Sequence, residues 1–150
     1  MTSRNKETHM IFSVEETIEA PVGVVWRHLT DPAIMTAWMS GIEDMRLRDG
    51  GVLALGSELV FTARGAKRST KVVEFIPEQS ISLQSVQGPV TATYRYTVAP
   101  EGTATRVTLQ ADCAARGLAK LFMPLLRPLI RRTDGGQLKA LNTAITVRIR

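Results

Sequence analysis

The chain has 150 residues, a length that suits one compact domain with a core of its own. Its hydrophobic fraction of 44% is ordinary for a globular protein, and its single cysteine, Cys113, excludes an internal disulfide. No group of cysteines and histidines has the spacing of a metal site, so we expect neither a metal nor another cofactor. The first residues lack the features of a secretory signal, and the longest apolar zone, Leu118–Ile130, is too short and too charged to span a bilayer. We therefore expect a soluble, cytoplasmic protein.

The net charge of +5 is concentrated at the C-terminal end. From Ala114 onwards the sequence contains eight basic residues and a single acidic one, Asp134. Such a segment suits an anionic lipid headgroup, a nucleic acid or an acidic partner, but it equally suits the solvated face of a long helix. Charge placement alone is a weak guide to partners, so we favour the solvated face. No nucleic-acid partner is expected, and peripheral membrane contact stays an open alternative.

The first third of the chain predicts one strand and two short helices. Residues 1–8 are expected to form a disordered lead-in, and the alternation over Met10–Glu19 indicates a half-buried strand. Apolar residues at helical spacing predict a short helix over Pro21–Leu29. Asp31 is a good N-cap and Pro32 a good first residue for a second short helix over Ala33–Met39.

Residues 42–113 alternate with period two between short turns. Six further strands are predicted over Ile42–Arg48, Ser57–Ala63, Ser69–Ile76, Ser80–Val86, Val90–Val98 and Thr103–Cys113. The alternation directs one apolar set inward, which includes Leu59, Phe61, Val73, Phe75, Tyr94 and Tyr96. Strands spaced so closely indicate an antiparallel meander.

The last segment changes to a helical period. Apolar residues from Leu118 to Ile145 form one stripe, which predicts a long C-terminal helix. Pro124 and Pro128 lie inside that stripe, so we expect a kink or a separate short helix there. A curved sheet with one apolar face needs a cover, and this helix is the available one. Two short helices cannot fill the remaining volume, so we expect a cavity between the sheet and the long helix.

Several segments together resemble a known family. Ile18-Glu19-Ala20-Pro21, Trp38-Met39-Ser40-Gly41-Ile42 and Leu138-Lys139-Ala140-Leu141 are similar to segments of the START-like (SRPBCC) superfamily, in its polyketide cyclase/dehydrase and lipid-transport branch. The resemblance implies one START-like domain over residues 1–150 with an α+β helix-grip fold. In that fold a curved, seven-stranded antiparallel sheet surrounds a long C-terminal helix, two short helices follow the first strand, and an apolar tunnel remains. Family members include carriers, cyclases and co-chaperones, so the fold does not select the function.

The titratable candidates for chemistry are few. Tyr94 and Tyr96 fall on the apolar face, where a buried phenol needs a hydrogen-bond partner that a ligand or the protein itself can supply. His28 suits a general base if it points inward, but the apolar stripe of its helix leaves it off the buried face. Arg64 closes the strand that carries Phe61, and it suits a ligand carboxylate, although a turn arginine is usually solvated. Glu58 and Glu74 are out of phase with the apolar residues and are expected to be exposed.

Three functions remain open from the sequence. The first is binding or carriage of a small apolar ligand, such as a lipid or a polyketide, in the cavity. The residues expected to line it are Trp38, Leu59, Phe61, Tyr94, Tyr96, Phe122 and Leu126. The second is a cofactor-free aromatase or cyclase in which Tyr94, Tyr96 or His28 moves protons, but no pair of converging ionisable groups supports it. The third is a membrane- or protein-interaction module that uses the basic final helix. The sequence does not determine the oligomeric state.

Overall fold

A computed structural model describes residues 8–39, 41–115 and 136–146 of the chain. They form a seven-stranded antiparallel sheet and three helical segments, which confirms the predicted helix-grip fold. The strands are β1 (Thr8–Ile18), β2 (Ile42–Leu47), β3 (Glu58–Ala63), β4 (Ala66–Ile76), β5 (Ser80–Gln87), β6 (Val90–Glu101) and β7 (Ala104–Ala115). The helical segments are α1 (Val22–Thr30), α2 (Pro32–Met35) and α3 (residues 136–146). The positions of Pro124 and Pro128, where a kink was predicted, lie outside the described residues.

The sheet is a meander with one long-range pairing. Its strand order is β1-β7-β6-β5-β4-β3-β2, so each strand from β2 to β6 pairs with the next in sequence, while β1 pairs with β7. The short turns between strands, which the spacing predicted, account for this order. The pairing of β1 with β7 joins residues that are far apart in the chain, such as Thr8 and Ala115, which the sequence alone does not indicate.

The second of the two short helices, α2, starts at the residues that the sequence predicted. The Asp31 carboxylate accepts a hydrogen bond from the Ala33 backbone nitrogen at 3.0 Å, which confirms its predicted role as a cap. Pro32 stands at the start of α2, as predicted. Helix α2 ends at Met35 instead of Met39, and the chain continues to Met39 in turns.

One face of the sheet carries the core, because directly paired residues of neighbouring strands place their side chains on the same side. Tyr96 pairs with Ile81 on one side and with Leu109 on the other, and all three are buried. Three leucine and isoleucine side chains of α3 are almost wholly buried against this face: Leu138, Leu141 and Ile145. Asn142 of α3 also donates to the Glu16 carboxylate at 2.8 Å, which ties the helix to β1. The predicted cover of the sheet by the C-terminal helix is thereby confirmed for its described part.

The prediction for Val73 was wrong. Val73 is 40% exposed, and its neighbour Val72 is buried at 1% exposure. The pairing between β4 and β5 shifts register between Val72 and Glu74, so a bulge reverses the alternation that the sequence pattern implied. Phe75, past the bulge, returns to the core side and lies 5.7 Å from Trp26 between ring centroids.

The opposite face of the sheet carries an ion pair across β4, β5 and β6. The Glu74 carboxylate accepts hydrogen bonds from Arg95 at 2.8 Å and from the Ser82 hydroxyl at 2.9 Å. The Arg95 guanidinium and then the Ser82 hydroxyl hold the pKa of Glu74 below its usual value. Glu74 was predicted to be exposed; its side chain is only 31% exposed, and both of its carboxylate oxygens accept hydrogen bonds.

A substitution of Glu74 by glutamine tests this ion pair through its pH dependence. A carboxylate with a lowered folded-state pKa contributes stability above its unfolded value, near pH 4.3, and loses it as the pH falls through the folded value. We expect Glu74→Gln to lower the free energy of unfolding by about 0.5–1 kcal/mol near pH 7, the usual size for a partly exposed pair. The loss should shrink in urea denaturation below about pH 4. Glu15→Gln on β1, exposed and outside the described ion pairs, is the control.

A buried hydrogen bond fixes the corner before α1 to the start of β7. The Thr105 hydroxyl donates to the Ala20 carbonyl oxygen at 2.7 Å, and both residues are buried. Thr105→Val keeps the shape but leaves that carbonyl without its donor, which should cost about 1–3 kcal/mol in urea denaturation. Thr103→Val, in the exposed turn two residues earlier, should change stability little. Equal effects of the two variants would contradict a structural role for the bond.

Candidate functional site

Two of the predicted site residues meet in the centre of the core. The Trp38 indole packs edge-on against the Tyr96 ring, with centroids 6.0 Å apart, and each residue is only 2% exposed. The Trp38 indole nitrogen donates to the His28 carbonyl oxygen at 2.9 Å, which joins the turn after α2 to α1. These contacts fix the orientation of both rings.

The Tyr96 hydroxyl reaches the C-terminal helix. It donates to the Gln137 side-chain oxygen of α3 at 2.5 Å. Of the two alternatives left open for this phenol, the structure therefore shows a protein partner. Tyr96 connects the sheet, the turn after α2 and the start of α3.

The other described candidates lie around that centre at different depths. Leu59 is completely buried, whereas Phe61 and Tyr94 are half-buried and pack against the same core cluster. Register explains the arrangement, because Leu59 and Phe61 share a face of β3 and Tyr94 and Tyr96 share a face of β6. Phe122 and Leu126, the two candidates on the last helix, lie outside the described residues.

The placement of His28 corrects a prediction. It was expected off the buried face of α1, but it is only 5% exposed. Its Nδ1 lies 2.9 Å from the Val24 carbonyl oxygen, which makes Nδ1 the donor, and its Nε2 has no hydrogen-bond partner in the described part of the chain. The apolar stripe of α1 did not predict the burial of His28, because α2 and the turn that contains Trp38 cover a second side of this helix.

The sheet opens at one end, between β4 and β5. Pairing of these strands runs from Ile76–Ser80 to Lys71–Gln84 and stops there, although β4 extends back to Ala66 and β5 onward to Gln87. Past this point the Ser85 hydroxyl donates to the Ser69 carbonyl oxygen at 3.3 Å. The β3–β4 hairpin therefore diverges from the β5–β6 hairpin.

A groove of about 950 Å³ occupies this divergence, and we call it the basic groove. Its described lining comprises Asp44, Arg46, Arg48, Val60–Arg64, Lys67–Ser69 and Ser85–Gln87. Consecutive residues of a strand point to opposite faces of a sheet, so the groove touches both faces, as an opening between strands requires. Phe61, predicted to line a cavity, is part of its floor.

The charge of the basic groove is strongly one-sided. Five of its lining side chains are basic and one, Asp44, is acidic. Arg48 is neutralised by Glu58 at 2.9 Å, and this contact lowers the pKa of Glu58 and raises that of Arg48. Among the described ion pairs none involves the other four cations, Arg46, Arg64, Lys67 and Arg68. Of these four cations only Arg64 was predicted as a ligand contact, although the run Arg64-Gly65-Ala66-Lys67-Arg68 was a visible signal.

A second, smaller cavity of about 370 Å³ lies between the turn after α2, β2 and α3. Its lining includes Trp38, Met39, Ile42 and Ala140. Of these residues only Trp38 was predicted to line a cavity. Leu59, Tyr94 and Tyr96 contribute to the lining of neither cavity.

The groups with clearly shifted pKa values do not form an acid–base pair at either cavity. They belong to the ion pairs Arg48–Glu58 and Glu74–Arg95, in which each charge stabilises the other. Within residues 8–39, 41–115 and 136–146, no three His, Cys, Asp or Glu side chains gather closely enough to hold a metal ion. Neither α1, α2 nor the described part of α3 has the length and apolar character needed to cross a bilayer.

Comparison with known proteins identifies what the chain resembles. The family described as "Polyketide cyclase / dehydrase and lipid transport" matches residues 9–146. No curated protein matches the chain. Solved structures match closely in shape and weakly in sequence.

Three of these structures illustrate the likeness. TTHA0849 from Thermus thermophilus is 19% identical with a TM-score of 0.73, over 93% of this chain and 99% of that one. SA2116 from Staphylococcus aureus, a protein of unknown function, is 7% identical with a TM-score of 0.79, over 95% and 97%. Ara h 8.0201 is 13% identical with a TM-score of 0.73, over 93% and 99%. At such identities the structures show a shared fold.

The bond between Tyr96 and Gln137 can be measured with a double-mutant cycle. Tyr96→Phe removes the hydroxyl that joins β6 to α3 and should cost about 0.5–1.5 kcal/mol in the free energy of unfolding. In a Gln137→Ala background the same substitution should cost clearly less, because its acceptor is already gone. Strictly additive losses in urea denaturation would show that the two side chains are not coupled.

Proposed function

This chain belongs to the polyketide cyclase/dehydrase and lipid-transport family, and we propose on that basis that it binds and carries a small hydrophobic ligand. The ligand enters through the basic groove and rests against Phe61. A lipid or a polyketide is the ligand class that the family description suggests.

The position of Phe61 is the observation that carries this proposal. Its ring lines the floor of the basic groove and also packs against the buried core cluster that contains Leu59, Trp38 and Tyr96. A half-buried aromatic ring that joins an open groove to an apolar interior offers a ligand the area that drives binding, about 25 cal/mol for each Å² removed from water. A groove of about 950 Å³ is within the range of small-molecule sites.

The remaining predicted residues support the site in different ways. Tyr94 is half-buried and packs against the same core cluster as Phe61 but does not line the groove, so we assign it a supporting role behind Phe61. Leu59, Trp38 and Tyr96 are held by mutual packing and by hydrogen bonds to His28 and Gln137. We therefore assign them the role of a rigid base beneath the ligand.

Binding is favoured over catalysis by the chemistry of the groove. An aromatase or cyclase needs an acid and a base that converge on the reacting atoms. The described lining of the basic groove holds one carboxylate, Asp44, and no histidine or tyrosine. His28 is buried elsewhere, on α1.

Native mass spectrometry of gently purified protein, followed by extraction under denaturing conditions, tests the proposal directly. We expect a co-purifying apolar molecule, or binding of the neutral probe decanol measured by calorimetry. Phe61→Ala should weaken decanol binding about tenfold, because it removes several buried methylene equivalents of contact area.

The matched control is Val52→Ala, at a loop residue that is 88% exposed and does not line the groove. It should leave decanol binding unchanged. Circular dichroism and the unfolding midpoint establish that Phe61→Ala remains folded. A folded Phe61→Ala variant that binds decanol as tightly as the unaltered chain would contradict the site, and no binding by the unaltered chain would contradict the function.

A further inference from the structure

We propose that the basic groove selects an amphipathic anion, with its carboxylate between Arg64 and Arg68 and its hydrocarbon tail along Phe61. This inference rests on the proposed binding function and adds the charge class of the ligand to it.

The cations of the groove are available to a ligand. Arg64, Lys67 and Arg68 are exposed, line the groove and take part in none of the described ion pairs. The remaining lining cation without a carboxylate partner, Arg46, contacts the Asp44 backbone carbonyl at 3.4 Å.

Arg68 pairs directly with Phe61 and therefore shares its face of the sheet, whereas Arg46 and Lys67 pair with Val60 and Thr62 on the opposite face. An anion bound beside Phe61 is therefore attracted most directly by Arg68 and by Arg64 at the turn. Arginine binds carboxylates through two parallel hydrogen bonds, which gives direction as well as attraction.

Arg64 occupies a backbone position that a different residue would fill with less strain. Arg64 and Gly65 form the two-residue loop of the β3–β4 hairpin, closed by the Ala63–Ala66 pair, with φ values of 53° and 78°. Two successive positive φ values define the type I′ turn, in which Asn-Gly is the preferred sequence. Most residues with a Cβ are disfavoured in this left-handed region, because the Cβ approaches the following carbonyl oxygen. The arginine side chain thus stands at the groove despite the preference of the turn.

The floor of the groove is apolar, which favours an amphiphile over a nucleic acid or a simple anion. Phe61 and Ala63 share one face of β3 and line the groove on the same face as Arg68. Nucleic-acid sites combine such charges with aromatic stacking faces, whereas Phe61 is here half-buried against the core.

The test compares ligands with one tail and different heads by calorimetry at low salt. The probes are decanoate, decanol, decylamine and decyl phosphate, with acetate as the head without a tail. We expect decanoate to bind about tenfold tighter than decanol, with decylamine weakest. The advantage should fall as salt is raised to about 0.5 M, because the cations are exposed. Decyl phosphate separates a general preference for anions from a preference for carboxylates.

Two substitutions remove charge without damaging the fold. Arg64→Asn installs the residue that the turn prefers, so the unfolding midpoint should stay the same or rise while the affinity for decanoate falls about fivefold or more. Arg68→Gln, on the same face as Phe61, should likewise weaken decanoate binding. Lys71→Gln, an exposed lysine of the same strand that does not line the groove, is its matched control and should have no effect. Decanol binding should be unchanged in all three variants.

The outcomes separate this inference from the function on which it rests. Equal affinity for decanoate and decanol, or an unchanged decanoate affinity in Arg64→Asn, overturns the charge preference and leaves hydrophobic binding intact. Acetate binding as tightly as decanoate overturns the role of the tail. Tighter attachment to phosphatidylglycerol vesicles or to a single-stranded oligonucleotide than to decanoate, lost in Arg68→Gln, assigns the cations to another partner and overturns the inference. Failure of every decyl probe contradicts the binding function itself.

Discussion

The apolar face of the sheet must be covered, and that constraint organises the rest of the molecule. Seven antiparallel strands place their buried side chains on one side, and the described part of α3 closes it with Leu138, Leu141 and Ile145. Hydrogen bonds from Tyr96 to Gln137 and from Asn142 to Glu16 fix the direction of the helix across the strands. Helices α1 and α2 fill the remaining corner around Trp38. A change in this cover would alter every contact beneath it.

The basic groove arises where the sheet departs from regular pairing. The β3–β4 and β5–β6 hairpins are joined by the pairing of β4 with β5, and they separate beyond Lys71 and Gln84. The concavity between them is lined by side chains from β2 to β5. Rigid strands hold the lining residues, so the groove does not depend on a long loop. Its apolar floor is continuous with the core through Phe61. The same irregularity therefore provides both access and a contact surface.

Most of the fold was predictable because periodicity and turn chemistry are local signals. The alternation located all seven strands, and Asp31-Pro32 located the start of α2. The errors arose where a neighbour outside the local pattern decides burial. A bulge in β4 places Val72 in the core and leaves Val73 exposed, opposite to the predicted alternation. The turn that contains Trp38 covers a second side of α1 and buries His28 there. The basic groove could not be predicted from the sequence, because the point at which β4 and β5 stop pairing depends on three-dimensional contacts that no single segment encodes.

The divergence of β4 from β5 also leaves the backbone of both strands open to pairing with another protein chain. Strand backbone beyond the last pair, at residues 66–70 and 85–87, forms an edge inside the sheet, and edges accept foreign strands readily. Charged side chains are a common protection against such addition, and Lys67 and Arg68 lie on this edge. Val86 is the exposed apolar residue that an incoming strand would cover. Arg68 thus lies both on this edge and at the proposed ligand site, so a substitution there would change the protection against strand addition and the proposed binding together.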